Sequence, residues 1–191
     1  MHSHHIIKSS RLYSGKISIR SDKYHLGDKI IEKEIVEHPD SVGIIALDNN
    51  ENIILVEQFR IATRNSLIEI PAGKIEKGET PKDAALREMN EEIGYLGKLT
   101  PLFQCYLAPG YDTEKMHFFL ASKLKRSKKR LTHDEDEEIK IRRIKLSSAL
   151  EKCISGKIAD CKTIAAIMMI LNSKYKPEKG KKSARDLSYH K

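Results

Sequence analysis

The chain has 191 residues, 39% hydrophobic and 32% charged, with a formal net charge of +8, which suits one well-buried core under a highly charged surface and leaves little room for two full domains. No run of about 18 apolar residues exists, which argues against a membrane-spanning helix. The N-terminal MHSHHIIKSS has no apolar stretch or cleavage site of a secretory signal, so a cytoplasmic location is expected.

Cys105, Cys153 and Cys161 are odd in number and widely spaced, with no C-x-x-C, and read as reduced, partly buried thiols rather than a disulfide framework or zinc site. His2, His4 and His5 are capable of chelating a transition metal, but a frayed terminus is the preferred reading. Much of the positive excess lies in Lys123 to Arg130 and in the tail from Lys174 to Lys191. Both read as solvated segments, a loop and a tail, with weak attraction for polyanions. No aromatic residues interleave the first run, so a nucleic-acid partner is not expected.

In chain order, Tyr13 to Val36 gives short alternating strands, KISIRS and IIEKEIVEH, around a Leu26-Gly27-Asp28 turn. Two apolar strands follow, SVGIIALD and NIILVEQFR, separated by a polar turn from Asp48 to Asn52. SLIEI forms another strand that Pro71 closes. Thr80, Pro81 and Asp83 then read as an N-cap, a first-turn proline and the acidic partner of a capping box, and Gly94 as a left-handed C-cap. These signals predict a helix from about Pro81 to about Ile93, burying Ala85, Leu86, Met89 and Ile93. Downstream, LFQCYLAPGYDTEKMHFFLASKL gives two strands around a Pro109-Gly110 turn, an acidic cluster runs from His133 to Glu138, and IKIRRIKL forms a strand. Two last helices break at Gly156, the second capped by Asp160.

Glu88, Glu91 and Glu92 gather on one side of the central helix, where like charges repel by a few tenths of a kcal/mol per pair. Two readings are open from the residues alone: a solvated acidic face, or a site for a hard divalent cation, which takes carboxylate oxygens, waters and substrate phosphates.

The stretch Gly73 to Tyr95 resembles the Nudix box. Gly73, Glu79, Arg87, Glu88, Met89, Glu91, Glu92 and Gly94 stand at the required spacings, Met89 is a variation in an apolar slot, and Tyr95 replaces the final aliphatic residue. Eight matches over 23 residues make a specific signal. Glu57-Gln58-Phe59-Arg60 and Glu69-Ile70-Pro71-Ala72-Gly73 resemble two signatures of the ADP-ribose pyrophosphatase group. Pro109, Gly110 and Glu114 are similar to its proline marker after the box, and Gly156 to Thr163 resembles its closing G-x-I-x-D-x-K-T.

The resemblance implies an α/β (α+β) fold, the Nudix α/β/α sandwich with a mixed sheet, preceded by a small N-terminal antiparallel sheet. It divides the chain into residues 1–40, whose strands exchange between subunits of a homodimer, a Nudix domain over 41–172, and a basic, flexible tail over 173–191. It implies hydrolysis of the diphosphate of ADP-ribose to AMP and ribose 5-phosphate with Mg²⁺, or Mn²⁺, as cofactor. Glu88 and Glu92 are the first expected metal ligands, joined by Glu91, the Ala72 carbonyl and Glu137. Glu135 is the expected general base with Glu91 in reserve, and Arg87 orients a box glutamate, with Glu79 in a supporting place. Arg60, Lys33, Glu114, Pro109 and Gly110 are expected at the substrate. A planar arginine fork suits a diphosphate, although Arg60 also fits a surface residue, and Lys33 stands where some relatives carry arginine. The competing readings are hydrolysis of another nucleoside diphosphate derivative, such as a sugar nucleotide, NADH or a dinucleoside polyphosphate, and a non-catalytic nucleotide- or RNA-binding module.

Overall fold

Two central strands that are apolar on both faces set the architecture. The computed structural model describes residues 5–15, 17–128 and 138–172. Three strands, β1 (Ile6–Ser14), β2 (Ser18–Leu26) and β3 (Lys29–Glu37), form a small antiparallel sheet in the order β1-β2-β3. The main sheet holds β4 (Ser41–Leu47), β5 (Asn52–Arg60), β6 (Asn65–Glu69), β7 (Ala72–Lys74), β8 (Tyr95–Tyr106), β9 (Lys115–Arg126) and β10 (Ile139–Lys145). Its order is β10-β5-β4-β9-β8, with β6 on β5 and β7 on β4. β4 and β9 are parallel and the other pairs antiparallel, so the sheet is mixed.

Successive side chains of a strand point to opposite faces, and here each face acquires its own core. Val42, Ile44 and Ala46 of β4, Ile54 and Val56 of β5, and Phe119 and Ala121 of β9 pack with Ala84, Ala85, Met89 and Ile93 of helix α1 (Pro81–Ile93). The interleaved residues Ile45, Ile53, Leu55, Met116 and Phe118 pack on the other face. There they meet Ala149 of α2 (Leu146–Ile154), Ile158, and Ala166 and Ile167 of α3 (Cys161–Leu171). The result is the expected α/β/α sandwich with a small antiparallel sheet before it. A register slip of one residue would exchange the two faces, so the pattern fixes the register strongly.

β4 and β5 pair only through Ala46 with Ile54 and Leu47 with Ile53. Beyond that point they separate, β5 continuing with β6 and β4 with β7. The chain crosses this split through Ile70 and Pro71, and the Ile44 N–H donates to the Pro71 carbonyl at 2.8 Å.

Three sequence expectations are corrected. The N-terminal sheet begins at Ile6, well before Tyr13, and the His5 carbonyl accepts from the His25 N–H at 3.1 Å. A strand at β7 had no signal of its own in three residues, and β8 starts directly after the α1 cap rather than near Leu102. The first basic run is only partly a loop: β9 continues to Arg126, with Lys123 at φ 52° opposite a register shift in β8 and the Arg126 guanidinium 5.9 Å from the Tyr95 ring centre. The tail from residue 173 lies outside the described residues.

The small sheet is stitched to the main one at the end of β3. The Val36 N–H donates to the Tyr111 carbonyl at 2.7 Å, and the Thr113 N–H to the Val36 carbonyl at 3.1 Å. The Thr113 hydroxyl also accepts from the His38 N–H.

Candidate active site

Helix α1 forms where its local signals predict. The Thr80 hydroxyl accepts the Asp83 N–H at 3.2 Å and donates to the Asp83 carboxylate at 2.6 Å. Gly94 sits at φ 69°, the left-handed conformation that ends the helix.

The acidic side of α1 is enclosed rather than solvated. Glu92 is only 3% exposed, and its Oε2 accepts the Ala72 N–H at 3.1 Å. A Cβ at Gly73 would overlap the Glu88 carboxylate. The φ of Gly73 is not in the left-handed region, so glycine is required there for close approach of a side chain to the backbone of β7. Arg87 binds the cluster together: Nη1 donates to Glu88 at 2.8 Å and to Glu91 at 2.9 Å, while Nε and Nη2 grip the two oxygens of Glu79 at 2.8 and 3.0 Å. Nη2 also donates to the Lys74 carbonyl at 2.9 Å. This fork raises the Arg87 pKa, chiefly through Glu79, and holds the Glu79 carboxyl below the usual carboxylate range.

Ala72, Arg87, Glu88, Glu91 and Glu92 are therefore brought together around β7. No three carboxylate, histidine or cysteine side chains among the described residues form a ready-made metal group. The donors nonetheless fit a hard cation, which is held by one or two carboxylates and completed by carbonyls, waters and substrate phosphates. The glycine cradle that admits Glu88 to the β7 backbone is the observation that supports the fit.

The other expected residues occupy separate positions. Arg60, at the end of β5, is no ordinary surface residue. Its Nε and Nη2 donate to the two oxygens of Glu69, each at 2.8 Å, and Glu69 is 1% exposed. Glu114 accepts the Ser41 hydroxyl at 2.5 Å, and its N–H donates to Asp112 at 2.9 Å, so the segment after the exposed Pro109-Gly110 turn is held in place. A Cβ at Gly110 would meet nothing within 4 Å, so the fold does not itself demand glycine there. Lys33 is exposed on β3, opposite Asp22 in the small sheet, while the box belongs to the main sheet. Glu135 and Glu137 lie outside the described residues.

Three side chains were not singled out from sequence. Glu69 and Lys162 form an ion pair, and their only signal was membership in the two short signatures near Pro71 and Thr163. Gln58 is buried, with its Oε1 lacking a hydrogen-bond partner among the described residues, and its only signal was membership in the signature from Glu57 to Arg60.

Comparison with known proteins accords with this arrangement. A family model described as the NUDIX domain matches residues 37–159. The chain is 38% identical over 167 residues to an ADP-ribose pyrophosphatase of Bacillus subtilis, covering 86% of this chain and 90% of the relative. It is 35% identical to a methanol dehydrogenase activator of Bacillus methanolicus, with the same coverage of each. A crystal structure of an ADP compounds hydrolase superposes with a TM-score of 0.79 at 21% identity, covering 89% of this chain and 93% of the other, and shows the shared fold. The chain belongs to the Nudix family. It is a Nudix hydrolase, and such enzymes generally require a divalent metal.

Proposed function

We propose that the enzyme hydrolyses the diphosphate bond of ADP-ribose to AMP and ribose 5-phosphate, with Mg²⁺ as the cation and Mn²⁺ as its alternative. The observation that carries this reading is the enclosed glutamate cluster of α1 against Gly73, in a chain similar over most of its length to an ADP-ribose pyrophosphatase.

Glu88 and Glu92 would hold the cation, with Glu91, the Ala72 carbonyl and Glu137 as further ligands. When bound, a divalent ion at these oxygens neutralises diphosphate charge and lowers the pKa of a coordinated water. The protein's own groups supply the remainder. Arg87 fixes the directions of Glu88 and Glu91 through Nη1. Arg60 presents a planar cation to the diphosphate. Glu135 takes the proton of the attacking water, with Glu91 in reserve. Glu114, Pro109 and Gly110 border the substrate, and Lys33 contributes a point charge from the small sheet.

That last role implies a homodimer. The small sheet exposes Ile6, Ile7, Leu12, Tyr13 and Ile30, each between 47% and 63%. Apolar side chains so exposed on a three-stranded sheet call for cover.

The test is chromatographic product analysis with Mg²⁺ and, in parallel, ADP-ribose, NADH, ADP-glucose and a dinucleoside polyphosphate. AMP is expected from ADP-ribose and should vanish with chelator. Intact ADP-ribose beside cleavage of another compound would overturn the substrate assignment, and no cleavage at all would favour the binding-module reading. Loss of a general base costs about 10²–10⁴-fold. Glu88→Gln and Glu92→Gln should each lower kcat more than Glu135→Gln, and equal losses would remove that ranking.

A further inference from the structure

The two short signatures around Pro71 and Thr163 lie 93 residues apart between Glu69 and Lys162, yet they meet in one polar junction. The Lys162 ammonium contacts Glu69 Oε2, the same oxygen that accepts Arg60 Nη2 at 2.8 Å. Lys162 also donates to Asp160 at 2.9 Å. Asp160 caps α3, accepting the Thr163 N–H at 3.0 Å and its hydroxyl at 2.5 Å. The Thr163 hydroxyl in turn accepts the Ile70 N–H at 2.8 Å. The first turn of α3 thus grips two consecutive residues, Glu69 through Lys162 and Ile70 through Thr163, where the chain crosses the split between β5 and β4.

Thr163 is fully buried and Glu69 nearly so, whereas the Arg60 side chain is 37% exposed. Burial alone would push the Glu69 carboxyl up, but bonds from Arg60 and the charge of Lys162 outweigh it and hold it ionised. A buried carboxylate shared by a partly buried lysine and a more exposed arginine is an anchor for the arginine. Lys162 and Arg60 share the Glu69 carboxylate, so the guanidinium is held in a fixed orientation.

We infer that Lys162 is a positioning residue for substrate binding: through Glu69 it orients Arg60 toward the diphosphate. This rests on the proposed reading of Arg60 as a substrate ligand. The effect is expected in binding more than in turnover, because Lys162 acts only through a residue that holds substrate.

The experiment is a double-mutant cycle on the full-length protein, with KM and kcat for ADP-ribose measured for wild type, Lys162→Met, Arg60→Gln and the double variant. The wild type is assayed first against the nucleotide panel. If it spares ADP-ribose but cleaves another member, the substrate reading fails and the cycle is run with that member. Lys162→Met should raise KM about tenfold, as expected for loss of a charge-assisted contact, with kcat changed less than about threefold. In the Arg60→Gln background the same substitution should change KM by less than about twofold. Glu69→Gln, which keeps the side-chain shape, should show the same non-additivity and serves as the test if Lys162→Met does not fold. An unchanged KM in the single variant, or an equal rise with Arg60 already removed, would overturn the inference.

Discussion

Gly73 gives the Glu88 carboxylate access to β7, and a methyl group there would occupy the same space. The obstructing atoms are the end of a side chain, which can swing away, so the fold should survive. Gly73→Ala is expected to lower kcat by about 10²-fold or more, because misplacing a reacting constellation by about 1 Å costs that much, while its thermal midpoint stays close to wild type. Activity within threefold of wild type would show that Glu88 does not need this approach. From sequence, Gly73 was visible only as a letter of two patterns, the last of the signature from Glu69 and the first of the box. Its physical purpose could not be read there, since the clash involves a residue on another element. Arg87 is a similar case: its role in orienting a box glutamate was expected, but its simultaneous hold on Glu79, Glu88 and Glu91 depends on how α1 meets the turn before it.

Among the elements, α1 was readable nearly to the residue because its start and stop signals are local: Thr80 caps, Pro81 fits the first turn and Gly94 accepts the left-handed conformation. The central strands were equally legible as apolar runs bounded by a polar turn. β1 was not, because eight of its nine residues are exposed and no buried face imposes a period. The junction of α3 with Glu69 and Ile70 was invisible for a different reason: lysine and aspartate in a first helical turn look like solvent-facing residues until the opposite strand is known. That junction carries a pH dependence. A carboxyl whose pKa is lower folded than unfolded contributes stability above its unfolded value, and loses it as pH falls through the folded value. The stability from Glu69 should therefore be intact above pH 5 and decline below the ordinary glutamate value of 4.5. Thermal midpoints measured from pH 3 to 8 should fall less steeply on the acid side for Glu69→Gln than for wild type. Parallel curves would mean that Glu69 is no more acidic in the folded protein than in the unfolded one.

At the scale of the whole molecule, the two cores on either face of the main sheet explain why the chain folds as a sandwich, and the small sheet, joined to it at the end of β3, leaves Ile6, Ile7, Leu12, Tyr13 and Ile30 exposed. Light scattering coupled to size-exclusion chromatography should give a mass twice that of the 191-residue chain. Replacing Leu12 and Ile30, which are 54% and 63% exposed, with serine should shift it toward a monomer without unfolding the main sheet. A monomeric wild type would leave Lys33 without a route to a neighbouring site. The box was legible because it rests on fixed spacing, and the fold class because the box carries a family resemblance. The placement of Lys33 relative to the box was not, because it depends on how two sheets are joined and not on any local pattern. The anchor of Arg60 has one more practical consequence. Cys161, the exposed thiol of the three, directly precedes Lys162, whereas burial raises the pKa of Cys105 and Cys153 and keeps them protonated at neutral pH. The chain therefore carries a native attachment point for a thiol-directed fluorophore beside the junction, from which ligand-dependent movement of α3 against the active-site strands can be followed without adding or removing a cysteine.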